Sequence, residues 1–97
     1  MSGERILIVE DDRAVARGLH YGLQTEGFQP LWASTGKDAL AMARADQPHL
    51  VLLDIRLPDI SGLDVCRQLR SEGRRMPILM LTARDEETDK VLGLELE

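Results

Sequence analysis

Short, wholly apolar runs alternate along this chain with longer stretches in which apolar residues recur every three or four positions. The short runs have the length and β-branched content of strands that are buried on both faces, and the longer stretches have the period of amphipathic helices. Strands that alternate with helices are typical of βα units, which place the strands in one parallel sheet covered by helices on both faces. The pattern therefore predicts a single α/β domain over residues 1–97.

Four strands and four helices follow from this pattern. We predict strands at 5–10, 28–33, 50–53 and 76–81, and helices at 13–26, 35–45, 62–72 and from Asp85 to the end of the chain. Thr35 and Ser61 are typical N-cap residues, and Gly27 and Gly73 are typical residues at the C-terminus of a helix. The segment DIRLPDISG has the composition of a polar turn and joins the third strand to the third helix.

Side-chain packing can also be predicted for the first helix and the second strand. Val15, Leu19 and Leu23 recur at four-residue spacing and are expected to form the buried face of the helix. Phe28 and Trp32 belong to the second strand, and with one further aromatic residue they are too few and scattered for a surface that stacks nucleic-acid bases. We interpret them as packing residues.

The composition excludes several classes of protein. A formal net charge of −5 without a basic stripe argues against direct nucleic-acid binding by this segment. No apolar run reaches the roughly 18 residues of a membrane span, and the start of the chain, MSGERILIVEDD, lacks the apolar core of a signal peptide. One cysteine, Cys66, cannot form an internal disulfide. We therefore expect a cytoplasmic domain with no membrane partner.

Carboxylate and hydroxyl side chains follow three of the four predicted strands. Glu10 and Asp11 lie at the end of the first strand, Asp54 directly after the apolar run LVLL, and Thr82 after the fourth strand. Ligand sites of parallel α/β sheets lie beyond the carboxyl ends of the strands. A carboxylate at the end of a buried strand is unfavourable unless it is paired or binds a metal, and three such acids form the hard oxygen cage that Mg²⁺ prefers. Taken singly, each could instead be a cap or a turn residue, as we expect of Asp12.

Three segments carry a resemblance to a known family. ILIVEDD, LVLLDIRLPDISGLDV and PILMLTARDEETDKVLGLE resemble the diagnostic segments of receiver domains from bacterial two-component response regulators, and LTAR and DKVLGLE further resemble the OmpR/PhoB group of transcription regulators. The resemblance implies a flavodoxin-like (CheY-like) fold, a doubly wound parallel sheet of strand order 2-1-3-4-(5). Its last βα unit would follow residue 97 and so be absent from this chain.

The resemblance also implies roles for the acids at the strand ends. Asp54 matches the residue that accepts a phosphoryl group from a sensor histidine kinase. Glu10 and Asp11 match the acidic pair of the family, with Asp11 a direct Mg²⁺ ligand beside Asp54 and the main-chain carbonyl of Arg56. The implied cofactor is Mg²⁺.

Further implied roles concern the switch and its partners. Thr82 resembles the hydroxyl residue that contacts the phosphoryl oxygens and moves on activation, and small Ala83 leaves access to them. Lys90 resembles a basic residue used for dimer salt bridges, although an ordinary solvated lysine fits equally well. The domain would be a switch rather than an enzyme, apart from Mg²⁺-dependent self-phosphorylation and dephosphorylation. DNA would be bound only through an output domain outside this chain.

Two alternatives remain beside this interpretation. By resemblance, the fifth strand, a phosphate-contacting lysine and the fifth helix would follow residue 97, so the chain could be an interaction module that is impaired in phosphorylation. The fourth strand would then lie at an edge, from which we expect either self-association through that edge and the side of the first helix or a stability markedly below that of an intact receiver. A phosphatase of the haloacid-dehalogenase type also phosphorylates an aspartate at a strand end, but it requires a second aspartate two residues later, where this chain has Arg56.

Overall fold

A computed structural model describes residues 3–83 and 92–96. Its elements are β1 (Arg5–Val9), α1 (Arg13–Thr25), β2 (Gln29–Ala33), α2 (Gly36–Asp46), β3 (Leu50–Asp54), α3 (Gly62–Ser71), β4 (Ile78–Ala83) and β5 (Leu92–Leu96). The four predicted strands and the first three predicted helices are confirmed. Most bounds agree within one residue, and β4 begins and ends two residues later than predicted.

The strands form one sheet of order β2-β1-β3-β4-β5. The first four are parallel, and β1 lies between β2 and β3, so that Val9 is paired with both Ala33 and Leu53. In the next pair, Asp54 lies beside Leu81 of β4. The predicted order 2-1-3-4 is confirmed, and it brings the carboxyl ends of β1 and β3 together at the centre of the sheet.

Beyond β4, the prediction of a helix that runs to the end of the chain is wrong for residues 92–96. Leu92–Leu96 forms β5, which is antiparallel to β4 and pairs Gly93 with Thr82. The expectation that β4 lies at the sheet edge is therefore also wrong. Pairing with β5 gives the backbone of β4 hydrogen-bond partners on its second side, which an edge strand lacks. The predicted helix start at Asp85 and the prediction for Lys90 lie outside the described residues.

The core consists of two apolar layers on opposite faces of the sheet. The larger layer packs α2 and α3 against the sheet, and its buried members include Leu7, Leu53, Ala39, Leu40, Ala43, Val65, Cys66 and Leu69. The smaller layer contains Ile6, Ile8, Leu52 and Leu81, with Leu19 and Leu23 of α1 packed against it. The sheet is thus covered by helices on both faces. None of the helices in the described part of the chain is long and apolar enough to cross a membrane.

The predicted helix ends are confirmed in detail. Asp12, Thr35 and Ser61 each accept backbone N–H groups at the start of α1, α2 and α3, which satisfies donors that have no partner within the helix. Gly27 and Gly73 follow the helix ends with φ of 95° and 82°, a conformation that glycine adopts without strain.

One packing prediction for α1 is wrong. Val15 is 42% exposed, whereas Ala16 is 1% exposed and is the buried residue of the first turns. Leu19 and Leu23 do pack against the sheet, as predicted. The buried stripe thus includes Ala16, three residues before Leu19, because residues three and four apart share a helix face.

Candidate metal and phosphoryl-acceptor site

The end of the central strands brings together three carboxylates. Asp54 is the last residue of β3 and Glu10 follows β1, where its N–H continues the ladder by donating to Ala33 O at 3.1 Å. One carboxylate oxygen each of Glu10, Asp11 and Asp54 can be chosen so that all three lie within 4.8 Å of one another. Since Glu10 and Asp54 are buried and Asp11 is exposed, the cluster opens to solvent on one side. The sequence prediction of one shared acidic site is supported by this geometry.

Glu10 is held away from its usual ionisation range. Its pKa is raised from 4.5 to about 7, and burial is the largest cause. The neighbouring charges of Asp54 and Asp11 contribute to this rise, and the Asp12 N–H, which donates to Glu10 Oε2 at 3.1 Å, acts in the opposite direction. The ionised form of Glu10 is therefore unfavourable unless a positive charge is placed beside it.

The pKa of Asp54 is also raised, although hydrogen bonding from backbone N–H groups offsets part of the rise. Burial is the largest influence and raises its pKa, while hydrogen bonds from the N–H groups of Arg56 and Ile55 and from the Glu10 side chain lower it. The charge of Asp11 raises it again. Since a divalent cation would balance these charges and the donors are hard carboxylate oxygens, the three side chains fit Mg²⁺.

A cavity of about 440 Å³ lies beside the acids. It is lined by Glu10, Asp11, Asp12, Asp54, Arg56, Leu57 and Pro58. Acidic side chains form one wall, and the loop that follows β3 forms the other. A volume of this order is sufficient for a small ligand.

Gly62 allows the loop after β3 to return close to Asp54. Its N–H donates to Ile55 O at 2.7 Å, and a Cβ at this residue would lie 2.1 Å from Asp54 O. No side chain can be placed at such a distance without moving the backbone that carries the Asp54 carboxylate. Gly62 was predicted only as the first residue of a helix, so this constraint on the loop was not predicted.

Asp59 and Trp32 also contribute contacts that the sequence analysis missed. Asp59 was interpreted as part of a polar turn, yet its carboxylate accepts from the N–H groups of Gly36 and Lys37 at 2.8 and 2.9 Å. Trp32 was interpreted as a packing residue. Its indole Nε1 donates to Glu10 O at 2.7 Å, which anchors the backbone of the acidic pair to β2. In neither case does local sequence spacing indicate the partner, because the partners are 22 or 23 residues away.

The structure gives the backbone positions of the remaining predicted site residues, Arg56, Thr82 and Ala83. Arg56 lines the cavity, and its N–H bonds to Asp54. Thr82 and Ala83 are the last residues of β4, with Thr82 one residue beyond the level of Asp54 in the neighbouring strand. Their side chains lie outside the part of the chain that the structure describes, so their predicted roles stay predictions.

Comparison with known proteins agrees with this geometry. The family model described as "Response regulator receiver domain" matches residues 6–97. The chain belongs to the response-regulator receiver family. Proteins of this family are signalling switches rather than conventional enzymes.

Curated relatives of this receiver are regulators of the OmpR/PhoB type. The alkaline phosphatase synthesis transcriptional regulatory protein PhoP of Bacillus subtilis is 47% identical over 93 residues, which cover 96% of this chain and 39% of PhoP. Response regulator MprA of Mycolicibacterium vanbaalenii is 47% identical over 91 residues, covering 94% of this chain and 39% of MprA. The chain thus spans about 39% of the length of these relatives.

Solved receiver domains share its fold. The BeF3-activated N-terminal receiver of Klebsiella pneumoniae RstA has a TM-score of 0.80 at 34% identity, covering 84% of this chain and 69% of that chain. Thermotoga maritima TrrA in complex with Mg²⁺-BeF has a TM-score of 0.79 at 36% identity, with 86% and 72% covered. A CheY-like receiver from Methylobacillus flagellatus has a TM-score of 0.79 at 31% identity, with 92% and 77% covered. These likenesses confirm the CheY-like fold.

Proposed function

We propose that this receiver takes a phosphoryl group onto Asp54, with Mg²⁺ held by Glu10, Asp11, Asp54 and the main-chain carbonyl of Arg56. The observation that carries the proposal is the group of three carboxylate oxygens within 4.8 Å of one another at the ends of two adjacent strands. The similar TrrA receiver, solved in complex with Mg²⁺-BeF, supports the same use of the site here.

The chemistry requires few protein groups. Phosphoryl transfer depends on a positioned acceptor and on counter-charge for the transferring oxygens, which Mg²⁺ supplies when it is bound. Asp54 provides the nucleophilic oxygen, and hydrogen bonding from the N–H groups of Ile55 and Arg56 lowers its pKa and so favours the ionised carboxylate. The oxygen forms a bond to phosphorus as the bond between phosphorus and the donor's leaving atom breaks, which leaves an aspartyl phosphate. Thr82, at the end of the adjacent strand, then contacts the phosphoryl oxygens, and small Ala83 leaves them accessible.

The likeness to PhoP and MprA supports a wider role for the protein. A sensor histidine kinase donates the phosphoryl group in the cytoplasm, and the receiver in turn controls a transcriptional output that binds DNA through a separate domain. We further propose that residues 1–97 act as one receiver unit within this system, with self-phosphorylation and dephosphorylation as side activities. Self-association stays a prediction. Because β4 is paired to β5, one of the two surfaces predicted for it is covered, and the other is the side of α1, where Tyr21 is 70% exposed.

The assignment of Asp54 is tested by mass spectrometry of the full-length protein. Incubation with acetyl phosphate and Mg²⁺ is expected to add one phosphoryl group, and Asp54→Asn is expected to abolish the addition. Asp64→Asn is the matched control because Asp64 is an exposed acid in the first turn of α3. Loss of labelling in the control, or a label that maps to Asp59 or Asp64, would contradict the proposal.

A further inference from the structure

The loop from 55 to 61 forms a wall of the site and is fixed to the strand end at both of its ends. At its start, the loop continues directly from Asp54, the last residue of β3. At its end, Gly62 N–H donates to Ile55 O at 2.7 Å. Between these two attachments, Arg56, Leu57 and Pro58 line the cavity. A third contact, from outside the loop, holds this middle part.

That contact comes from α2 through Asp59. Oδ1 of Asp59 accepts the N–H of Gly36 at 2.8 Å, and Oδ2 accepts the N–H of Lys37 at 2.9 Å. These hydrogen bonds lower the pKa of the Asp59 carboxyl, so the group is ionised and complements the positive end of the helix. Next to it, a Cβ at Gly36 would lie 2.3 Å from Ile60 Cγ1, which shows how closely the loop approaches the helix.

We propose that Asp59 is a positioning residue for phosphoryl transfer, fixing the cavity-lining part of the loop, and with it Arg56, to the N-terminus of α2. This inference rests on the proposed function, because it assigns a role in that same site to a residue that is not among the three acids. Asp59 is exposed, so it contributes through its two hydrogen bonds rather than through burial. Groups that orient metal ligands from outside the ligand set commonly change affinity or activity about 10- to 100-fold when they are removed.

If Asp59 were only a cap of α2, its removal would affect the helix and leave phosphoryl transfer unchanged. Helix α2 already has an N-cap on its own chain, since Thr35 Oγ1 accepts the N–H of Asp38 at 3.0 Å. Removal of either side chain takes hydrogen bonds from the same helix terminus. Only removal of Asp59 also releases the loop beside Asp54. Thr35→Ala is therefore a matched control for the effect of Asp59→Ala on the helix.

The experiment compares Asp59→Ala, Asp59→Asn and Thr35→Ala in the full-length protein. The rate of Asp54 modification by acetyl phosphate is measured across a Mg²⁺ series, and the free energy of unfolding is measured for each variant. Asp59→Ala is expected to raise the half-saturating Mg²⁺ concentration or to lower the maximal rate about tenfold. Thr35→Ala is expected to leave both unchanged although it lowers stability. Asp59→Asn keeps one acceptor oxygen and should recover part of the loss.

Amide chemical shifts of residues 55–57 give a readout that does not depend on phosphoryl transfer. They are expected to change in Asp59→Ala and to match the wild type in Thr35→Ala. If the wild type is modified on Asp54 and Asp59→Ala behaves like Thr35→Ala in rate and Mg²⁺ dependence, the positioning role is refuted while the proposed function stands. If wild-type Asp54 is not modified, the proposed function fails, and the role of Asp59 in transfer fails with it.

Discussion

The surroundings of Glu10 favour the binding of a cation at this site. Its carboxyl lies at the end of a buried strand, is 7% exposed and faces two further acids. Burial and like charges both favour its protonated form. In the folded chain without metal, the proton on Glu10 therefore supplies part of the charge balance that a bound cation would give.

This imbalance predicts a particular dependence of stability on pH without metal. Below pH 4.5, Glu10 is protonated in both folded and unfolded chains and has no effect. Between 4.5 and the folded pKa of about 7, the unfolded chain loses the proton first, so the free energy of unfolding falls as the pH rises. The contribution of Glu10 amounts to about 3 kcal/mol at most and levels off above pH 7. Urea unfolding in EDTA from pH 4 to 8 measures it.

Glu10→Gln provides the comparison that isolates this effect. The amide oxygen can still accept the Asp12 N–H that now bonds to Glu10 Oε2, while the ionisation is removed. We expect the variant to be more stable than the wild type at pH 8 in EDTA and equally stable at pH 4. Parallel curves for the two proteins across the whole range would contradict the raised pKa of Glu10.

A second prediction concerns the substitution of Gly62. In Gly62→Ala, the new Cβ would meet Asp54 O, so the backbone beside the Asp54 carboxylate must move. We expect a loss of about 1–3 kcal/mol in unfolding free energy, typical of overpacking in a rigid interior, together with slower Asp54 modification. Gly22→Ala is the matched control, because no atom lies within 4 Å of a Cβ there and alanine favours a helix by up to about 1 kcal/mol. Equal unfolding midpoints for the two variants would contradict the close approach.

Helices and strands could be predicted from the sequence wherever a local pattern determines the structure. The caps at Asp12, Thr35 and Ser61 were predictable because each side chain bonds to N–H groups two or three residues ahead. Glu10 and Asp54 could be placed together because parallel strands end at one edge of the sheet. These predictions need only chain spacing and the common properties of parallel sheets.

Contacts between distant segments could not be predicted in this way. The segment LGLEL can be interpreted as a helix end, but its leucines at 92, 94 and 96 also have the period of two that is typical of a strand. This segment forms a strand because it pairs with the edge of β4, and the local sequence does not show that this edge is available. In the same way, nothing near Asp59 in the chain indicates that α2 begins beside it, and nothing near Trp32 indicates a bond to Glu10.

In the molecule as a whole, the acidic site connects β1 and β3, which are adjacent interior strands of the sheet. Glu10 and Asp11 follow β1 and Asp54 ends β3, so their mutual repulsion opposes the arrangement on which the core depends. A cation held between these side chains would replace repulsion with attraction and would bind only the folded chain. Its binding energy therefore adds to the stability of the fold.

The last prediction is that Mg²⁺ raises the melting temperature of the protein and that Asp11 is needed for most of the rise. At a Mg²⁺ concentration 100 times Kd, the expected stabilisation is about 2.7 kcal/mol, and each kcal/mol corresponds to about 4–8 °C for a domain of this size. Asp11→Ala removes one oxygen ligand and should show little shift. Asp12→Asn is the control, because asparagine also caps helices and Asp12 is outside the group of three acids. KCl at matched ionic strength corrects for screening of the acids, and a melting temperature that responds equally to KCl and to Mg²⁺ would refute the metal site.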